Sequence, residues 1–554
     1  MGRGSLVLEG AVVDVQHWVL QVRGVVDRHR RLWPLIVAAA ATFFALPLLS
    51  YPFGWDQCVF GTIADTMRHG GVVYRDAWEH KPPGVYYVYY LAFWLFGRDY
   101  WGVRILEIAG VAITAGMLVA IAQRRFGTTL GGVIAGLAYP LLYLLIGPNT
   151  AQPESYQVAF LVAGLACWPM PRETSRLGAR CFGSGVLVAN AVLFKPPIMF
   201  FPLLLLLDRV WIDSDRAGCR GKVRLSVLTA LGLGTPVLCV FLYYGIRGAF
   251  WETWDALVSF PVRYSAYNPG VFANLRWSGA FEWVNALLSF YSGALILLGM
   301  ARGGVLRGGE MLRWTLSSLA AWASLVLQRK YFDYQHIPLL PFLALGLALP
   351  FMARAEGAPE PSSISRRLGA VVLSVASVLV AIVAVEYARG ASRSWSPAPW
   401  IARMEVPEGR SASPGSEGGD SEVVQWIRAN SNPQESLFVW GNRPGLYFHS
   451  DRRMAGPYAH LLSALPPWGD PERLTRLIRR LDRDRPRVIV IAAGDSTWWQ
   501  TRGAKDLIEE RPEFRSFVED TYIFAQRIGT YELWKRADPE LDYSSGNRQG
   551  RADQ

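Results

Sequence analysis

Long apolar blocks alternate with short polar segments along most of the chain. No charged residue lies between Leu32 and Trp55, and a stretch of that length can cross a bilayer. Similar blocks recur up to about residue 388, after which the sequence has the mixed polarity of a soluble protein. The pattern predicts a polytopic α-helical membrane protein with a small soluble C-terminal part.

The basic residues between the apolar blocks predict the orientation of the helices. They form six clusters: Arg28–Arg31, Arg124/Arg125, Arg172/Arg176/Arg180, Arg209–Arg224, Arg302/Arg307/Arg313 and Arg354/Arg366/Arg367. Placing all six on the cytoplasmic side gives about eleven transmembrane helices, with the N-terminus inside and the C-terminal part outside. Their expected bounds are roughly 32–50, 101–122, 128–147, 156–170, 178–194, 198–212, 225–246, 283–301, 312–328, 335–353 and 368–388.

The apolar run 85–97 is expected to lie on the membrane rather than to cross it. It is short for a span, and its tyrosines and tryptophan suit the interface. A crossing here would also place Arg124 and Arg125 outside. We therefore predict one external segment over 51–100 with two juxtamembrane helices, at about 57–69 and 84–97, and with the polar sequence YRDAWEHKPPGVYY (74–87) between them.

Composition narrows the function classes. The chain has 554 residues, is 51% hydrophobic and carries a net charge of +11, but the basic residues follow membrane topology, so no nucleic-acid partner is expected. None of the five cysteines lies in the C-terminal part, and no CxxC or Cys/His metal spacing occurs. P-loop, HExxH and EF-hand motifs are missing from the sequence as well. No cofactor and no metal are expected.

Asp56 follows the first apolar block directly and has two interpretations. It could be the N-cap of a helix over 57–69. It could also be a carboxylate at the membrane surface that accepts a proton from a nucleophile.

Lys81 precedes Pro82 and Pro83, which restrict the backbone around it. A lysine at this place could simply snorkel to the interface, or it could bind a lipid phosphate. The prolines favour phosphate binding, because a snorkelling lysine needs no rigid frame. Lys81 could be supported by neighbours in one ion network, and that network could be purely structural; its candidate members are Arg75, Asp76, Glu79 and His80.

Other external loops carry further candidates. Glu154 could complement a helix dipole or act as a second acid, and Lys195 repeats the Lys-Pro-Pro arrangement. In QRKYFDYQHIPLLP, from Gln328, the basic pair Arg329 and Lys330 runs against the charge bias of the chain, and a phosphate suits such a pair. The supporting candidates in that segment are Tyr331 and His336. The aromatic residues of the loop 247–282 favour an interfacial belt, the alternative being a lid that stacks on sugar or lipid.

The C-terminal part reads as a linker, a folded domain and a tail. Residues 389–419 are rich in Ser, Pro and Gly, and residues 539–554 are expected to be disordered. Between them, over 420–538, helices alternate with apolar strands, which predicts a small α/β domain whose sheet is covered on both faces. No catalytic constellation is visible there, so we expect a supporting or acceptor-binding role.

The order of these motifs resembles the GT-C superfamily of polyprenyl-phosphate-sugar-dependent membrane glycosyltransferases, over roughly residues 32–350. The pattern is similar to bacterial protein O-mannosyltransferases and the lipid A aminoarabinose transferase. The resemblance implies Asp56 as the catalytic carboxylate, Glu154 as a second acid near the acceptor, and Lys81, helped by Arg329 and Lys330, as the site of the donor phosphate. Many relatives have two adjacent acids where this chain has Asp56 and Gln57, which argues against a divalent metal.

The resemblance implies an inverting transfer of a hexosyl or pentosyl group at the outer face of the cytoplasmic membrane. The donor would be a polyprenyl-phosphate-linked sugar, and the acceptor a lipid, a glycan or a protein. A transporter or lipid-linked sugar flippase is the alternative, and it would need a continuous path and internal repeats. An external sensor would need one anchoring helix rather than many.

Overall fold

The computed structural model describes residues 24, 26–169, 176–208, 219–266, 308–328, 332–348, 420–461, 471–495 and 504–537. The predicted helices over 283–301 and 368–388 lie outside these ranges, as do the predicted linker over 389–419 and the predicted tail over 539–554. Contacts divide the chain into two compact units. One comprises 1–51, 101–240 and 269–400, and the other comprises 52–100, 241–268 and 401–554.

The first unit is helical. Its described helices are Trp33–Ala45, Tyr100–Arg125, Thr129–Leu144, Pro153–Cys167, Leu177–Val192, Phe200–Leu207, Cys219–Ile246, Gly308–Gln328 and Leu340–Ala348, with 3₁₀ turns at Leu46–Ser50, Pro196–Met199 and Asp333–Leu339. The predicted helices that fall on described residues are thus confirmed as helices. Their ends differ by a few residues, because the polar first and last turns of a helix add little to an apolar pattern.

Three of the described helical segments are long and apolar enough to cross a membrane: Trp33–Ser50, Tyr100–Arg125 and Arg220–Ile246. Shorter apolar helices accompany them at Gly84–Phe96, Thr129–Leu144, Leu177–Val192 and Pro196–Leu207. Close packing relies on small residues, as is common between membrane helices. At Gly136, for example, a β-carbon would lie 2.5 Å from Val37 Cγ1 and 2.9 Å from the Ala115 carbonyl.

Two fully buried ion pairs lie inside the first unit. Arg104 donates to Glu107 Oε2 at 2.8 Å, and Glu107 Oε1 accepts from the Tyr143 hydroxyl at 2.6 Å and from the Ala151 N–H at 2.7 Å. Arg313 binds both oxygens of Asp208, at 2.7 and 3.1 Å. Arg313 was expected to mark the cytoplasmic side at the start of a helix over 312–328. It lies in the helix Gly308–Gln328, where Asp208 compensates its charge.

The second unit joins the juxtamembrane helices to the C-terminal α/β fold. Helices Trp55–Arg68 and Gly84–Phe96 match the two predicted juxtamembrane helices, and the short helices Phe250–Trp254 and Phe260–Ala266 follow. The C-terminal helices are Asp420–Ala429, Gly445–Ser450, Pro471–Asp484, Ala504–Glu509 and Pro512–Thr521. They alternate with strands, as the sequence pattern predicted.

A five-stranded sheet forms the centre of the C-terminal fold. Its strands are β1 (Ser436–Trp440), β2 (Arg453–Met454), β3 (Val488–Ala492), β4 (Tyr522–Ile528) and β5 (Tyr531–Arg536), in the order β2-β1-β3-β5-β4. Strand β1 is parallel to β2 and β3, and β5 is antiparallel to β3 and β4. The expectation of a sheet covered on both faces holds for β3, which is buried throughout, but β4 is an exposed edge strand.

We predict that Glu107→Ala lowers the free energy of unfolding by about 3–5 kcal/mol, because it leaves Arg104 buried without its carboxylate. Denaturation of the detergent-solubilised protein measures this. Glu472→Ala serves as the control, because Glu472 forms an exposed pair with Arg476, and exposed pairs contribute little. Equal stability of the two variants would show that Arg104 is compensated by its other partners alone.

Candidate active site

Asp56 and Lys81 form an ion pair in the second unit. Asp56 lies in the first turn of the helix Trp55–Arg68, and its Oδ1 is 3.0 Å from the ammonium of Lys81. Each side chain is mostly buried, with 18% of Asp56 and 14% of Lys81 exposed. A carboxylate and a cation are thus held together at the start of the helix Trp55–Arg68.

The N-cap interpretation of Asp56 is wrong. The helix begins at Trp55, two residues before the start at Gln57 that an Asp56 cap would require, and Gly54 occupies the N-cap position in an extended conformation. The Gly54 N–H donates to Gln57 Oε1 at 3.1 Å, so Gln57 closes the first turn. Asp56 is not needed as the cap, although its charge still complements the positive end of the helix.

Lys81 is fixed through its backbone as well as through its charge. The hydroxyls of Tyr74 and Tyr86, both buried, donate to the Lys81 carbonyl at 3.0 and 3.2 Å. The ammonium also lies 4.9 Å from the centre of the Phe60 ring, a distance at which a cation is attracted to the ring face. A snorkelling lysine would have a mobile, solvated head, which this arrangement does not allow.

Glu79 is the buried centre of the charged cluster, with 1% of its side chain exposed. Its Oε1 lies 2.6 Å from His80 Nδ1 and 3.8 Å from Lys81 Nζ, and its Oε2 lies 2.7 Å from His460 Nε2. Burial alone would raise the pKa of Glu79. The charges of His80 and Lys81, together with hydrogen bonds from His460 and His80, outweigh burial and hold the pKa well below its usual range.

Asp76, a predicted supporting residue, organises the turn before this cluster. It accepts from the Val72 N–H at 2.9 Å and pairs with Arg75 at 2.8 Å and Arg480 at 3.4 Å. These contacts account for Asp76 as a structural residue. His80, the other predicted supporter in this segment, does contact the cluster through Glu79.

Part of the aromatic loop lies beside the Asp56–Lys81 pair. The His80 ring contacts Phe260 and Tyr264, with centroids 5.4 and 5.6 Å apart. Burial raises the pKa of Tyr264 to about 12, with Lys81 lowering it and Glu79 and Asp56 raising it further. The pKa of Tyr264 therefore depends on the charges of Lys81, Glu79 and Asp56. Trp251 and Trp254 are exposed, as an interfacial belt requires, while Tyr267, Phe272 and Trp277 lie outside the described residues.

The C-terminal fold supplies contacts that the sequence did not suggest. His460 binds Glu79, and its ring packs on Trp55 with centroids 4.7 Å apart. The Trp55 indole N–H donates to the Asn442 carbonyl at 2.8 Å, and the Trp78 N–H donates to the Pro457 carbonyl at 2.7 Å. The only sequence signal for His460 is a histidine in an apolar, proline-rich loop, which does not distinguish it from a structural residue.

In the first unit, Glu154 and Lys195 form an ion pair. Glu154 is fully buried in the first turn of the helix Pro153–Cys167, and the Lys195 ammonium bonds to its Oε1. Lys195 also lies 5.0 Å from the centre of the Tyr334 ring. The loop before Glu154 is held by the Glu107 network through the Ala151 N–H. Two candidates that the sequence singled out separately, Glu154 and Lys195, are therefore adjacent.

The remaining candidates belong to the segment after Gln328. His336 is buried in the 3₁₀ turn Asp333–Leu339, where its Nδ1 lies 3.2 Å from the carbonyls of Phe332 and Asp333. Arg329, Lys330 and Tyr331 lie outside the described residues. Within the described ranges, no three His, Cys, Asp or Glu side chains are grouped so as to hold a metal ion.

Glu79 makes the stability of the protein depend on pH. Because its pKa is lowered on folding, its contribution is present above about pH 4.3, the ordinary pKa of Glu, and is lost as the pH falls below that value. We predict that Glu79→Gln is less stable than the unmodified protein at neutral pH and that its stability falls less steeply between about pH 5 and 3. Thermal denaturation across that pH range measures both effects. Parallel acid limbs in the two proteins would contradict a lowered pKa.

The fold is that of known membrane glycosyltransferases. A family model described as dolichyl-phosphate-mannose-protein mannosyltransferase matches residues 80–244. The crystal structure of ArnT from Cupriavidus metallidurans bound to undecaprenyl phosphate is similar, with 14% identity, a TM-score of 0.53, and coverage of 92% of this chain and 98% of that chain.

The apo structure of ArnT from Cupriavidus metallidurans gives the same result, with 14% identity, a TM-score of 0.54, and coverage of 91% of this chain and 97% of that chain. Comparison with curated protein sequences gave no match. The family model and the shared fold together confirm the resemblance to the GT-C superfamily.

Proposed function

We propose that this chain is an integral membrane glycosyltransferase. It moves a sugar, with inversion, from a polyprenyl-phosphate donor to a lipid, glycan or protein acceptor at the outer face of the cytoplasmic membrane. The observation that carries the proposal is the Asp56–Lys81 pair, with a distance of 3.0 Å between carboxylate and ammonium. These are the two charges that a displacement at the anomeric carbon requires, a base for the acceptor and a cation for the leaving group.

The similar proteins support a lipid-linked phosphate as the donor. ArnT, which shares the fold, has been crystallised with undecaprenyl phosphate, and the matching family model is described by a dolichyl-phosphate sugar. A phosphate of this kind stays at the height of the membrane surface because its lipid chain remains in the bilayer. A cation on a juxtamembrane segment, such as Lys81, can meet it there.

Asp56 and Lys81 divide the chemistry between them. Asp56 takes the proton from an acceptor hydroxyl as the acceptor oxygen forms its bond to the anomeric carbon. The bond from that carbon to the phosphate oxygen breaks, and the electron pair leaves with the polyprenyl phosphate. Lys81 has three N–H donors, so its ammonium can bind the phosphate while one donor still faces Asp56.

Tyr264 gives the site a second recognition element. Its ring contacts His80 and lies parallel to Phe260 at a centroid distance of 5.8 Å. Aromatic faces of this kind suit the apolar face of a sugar or an isoprenoid chain. The part of the 247–282 loop nearest to Lys81 therefore fits the lid role, while the exposed tryptophans fit the interfacial belt.

The roles expected of the other candidates remain predictions within this proposal. Glu154, held by Lys195 in the first unit, is assigned to the acceptor as a second acid. Arg329 and Lys330 are assigned to the donor phosphate, with Tyr331 and His336 as supporting residues. Whether the transferred group is a hexose or a pentose is set by contacts beyond the charged pair.

Transport is not favoured over transfer. Polar residues that line a transport path should face a cavity or bind the coupling ion. Three pairs of charges in the described part of the first unit instead bind one another: Arg104 binds Glu107, Arg313 binds Asp208 and Lys195 binds Glu154. This pairing suits a rigid support better than a moving carrier.

The proposal includes the predicted topology. The catalytic module over 32–388 crosses the membrane about eleven times. The segment 1–31 lies on the cytoplasmic side, because the basic loops favour that side. The linker 389–419, the α/β domain 420–538 and the tail 539–554 are then extracytoplasmic. The contacts within the second unit support a common location for 52–100 and the C-terminal fold.

We predict that the chain from Gly70 to Gly102 is entirely external. Cysteines placed at Arg75 and Asp99, in a background without the five native cysteines, should both react with an impermeant thiol reagent in intact cells. Arg75 is exposed, and Asp99 lies beyond the end of the helix Gly84–Phe96. Labelling at position 75 alone would mean that this helix crosses the membrane and that the topology is wrong.

Asp56→Asn tests the proposed base. Asparagine keeps the size of the side chain and an oxygen for Lys81 but cannot take the acceptor proton, so transfer should fall by about 10² or more. Binding of undecaprenyl phosphate should persist. Mass spectrometry of lipids and glycans from host cells with and without the gene identifies the product, and the variants are then compared by the amount of that product.

Asp65→Asn is the matched control for Asp56→Asn, because Asp65 lies in the same helix but pairs with Arg98 at 3.3 Å. It should lower stability and keep the transfer activity of the folded protein. An active Asp56→Asn variant would remove Asp56 from the mechanism and favour Glu154. If cells with the gene accumulate no new glycoside, glycosyl transfer itself is wrong.

A further inference from the structure

We propose that His460 is a positioning residue for Lys81. The inference rests on the proposed function, in which Lys81 binds the donor phosphate. His460 reaches both sides of the Asp56–Lys81 pair: it binds Glu79, two residues before Lys81, and packs on Trp55, the residue before Asp56. It belongs to the C-terminal fold, to which the sequence assigned no part in the chemistry.

The first step is the hydrogen bond to Glu79. His460 Nε2 is 2.7 Å from Glu79 Oε2, while Oε1 of the same carboxylate faces His80 Nδ1 at 2.6 Å and Lys81 Nζ at 3.8 Å. Because partners engage both oxygens, the plane of the carboxylate is fixed. Lys81 Nζ is thereby set between two carboxylates, with Asp56 at 3.0 Å and Glu79 at 3.8 Å.

The second step is the support behind His460. His460 is buried, and the loop that carries it is attached at several points. The Ala455 N–H donates to the Leu437 carbonyl of β1 at 2.8 Å, and the Pro457 carbonyl accepts from the Trp78 N–H at 2.7 Å. The loop is therefore attached both to β1 and to the 74–87 segment, and the imidazole is held close to Glu79.

The consequence concerns the balance of forces on Lys81. Two carboxylates pull the ammonium in different directions, which leaves it between them and able to accept a third anion. Without the His460 hydrogen bond, only the contacts of Oε1 hold the Glu79 carboxylate, which can then turn away from Lys81, and Lys81 closes onto Asp56. A tighter Asp56–Lys81 pair competes with the donor phosphate, so loss of His460 should weaken donor binding more than the chemical step.

Three substitutions separate positioning from simple packing. His460→Leu removes the hydrogen bond, whereas His460→Gln places an amide N–H near the position of Nε2 and should restore it. His449→Leu is the matched control. His449 is a partly buried histidine of this unit and lies 3.9 Å from Cys58 Sγ in the helix that carries Asp56, whereas His460 contacts Glu79.

Undecaprenyl phosphate is the probe, and its Kd is measured with the full-length protein in nanodiscs, beside donor KM, kcat and the melting temperature. We expect His460→Leu to raise Kd and donor KM by about tenfold, the size of effect of one hydrogen bond to a charged group, with a smaller change in kcat. His460→Gln should restore Kd to within about threefold. His449→Leu should change the melting temperature and leave Kd unchanged.

A double-mutant cycle connects the effect to Lys81. In the Lys81→Ala background, His460→Leu should produce no further rise in Kd. An equal rise in both backgrounds, or a melting-temperature loss with unchanged Kd, would overturn the role of His460 and leave the proposed function intact. If Lys81→Ala itself binds undecaprenyl phosphate normally, the role of Lys81 in the proposed function is wrong.

Should His460→Leu fail to accumulate, His460→Asn takes its place, because its shorter amide does not reach Glu79. It should then raise Kd as the leucine variant would. An asparagine variant with unchanged Kd would overturn the proposal.

Discussion

A carboxylate that is buried without compensation is among the most costly groups a protein can hold. The second unit contains a buried carboxylate, Glu79, whose charge must therefore be compensated. Glu79 is sealed from solvent, and it is kept ionised by His80, by Lys81 and by a hydrogen bond from His460. These groups must be present together, because removing one leaves part of the charge unpaired. The juxtamembrane segment and the C-terminal fold, far apart in the chain, are thus stabilised by the same carboxylate.

The same constraint shapes the first unit. Charges lie inside the apolar helices as well: Arg104, Glu107, Asp208 and Arg313 are all buried there. A hydropathy window averages a single charge with many apolar neighbours, so it cannot reveal that two such charges meet. Each pair fixes a place in the bundle, and the Glu107 pair fixes the loop that leads to Glu154. Sequence patterns predict the helices, while the pairs determine how the helices fit.

Local patterns explain which features of the site could be predicted. The helices Trp55–Arg68 and Gly84–Phe96 and the strands β1 and β3 follow from runs of apolar residues. The resemblance marked Asp56 and Lys81 as site residues, and the structure brings them together. The N-cap assignment of Asp56 was wrong because Gln57 can close the turn equally well, a choice that depends on the extended backbone at Gly54. His460 could not be found, since its partner Glu79 is 381 positions away and nothing in its own neighbourhood marks it.

The density of charge in the 74–87 segment has a different cause from the one that its sequence suggests. Five charged or titratable residues so close in the sequence look like ligands for one lipid headgroup, but most of them bind protein groups. Asp76 binds Arg75 and Arg480, and Glu79 binds His80 and His460. The segment is therefore a scaffold of satisfied charges around the Asp56–Lys81 pair. Such a scaffold confines anion binding to the position of Lys81, because an anion that approaches the segment elsewhere meets cations already neutralised by fixed carboxylates. A phosphate that is delivered at membrane height, beside Lys81, can still compete for the ammonium, and a phosphate dissolved in water has no comparable advantage.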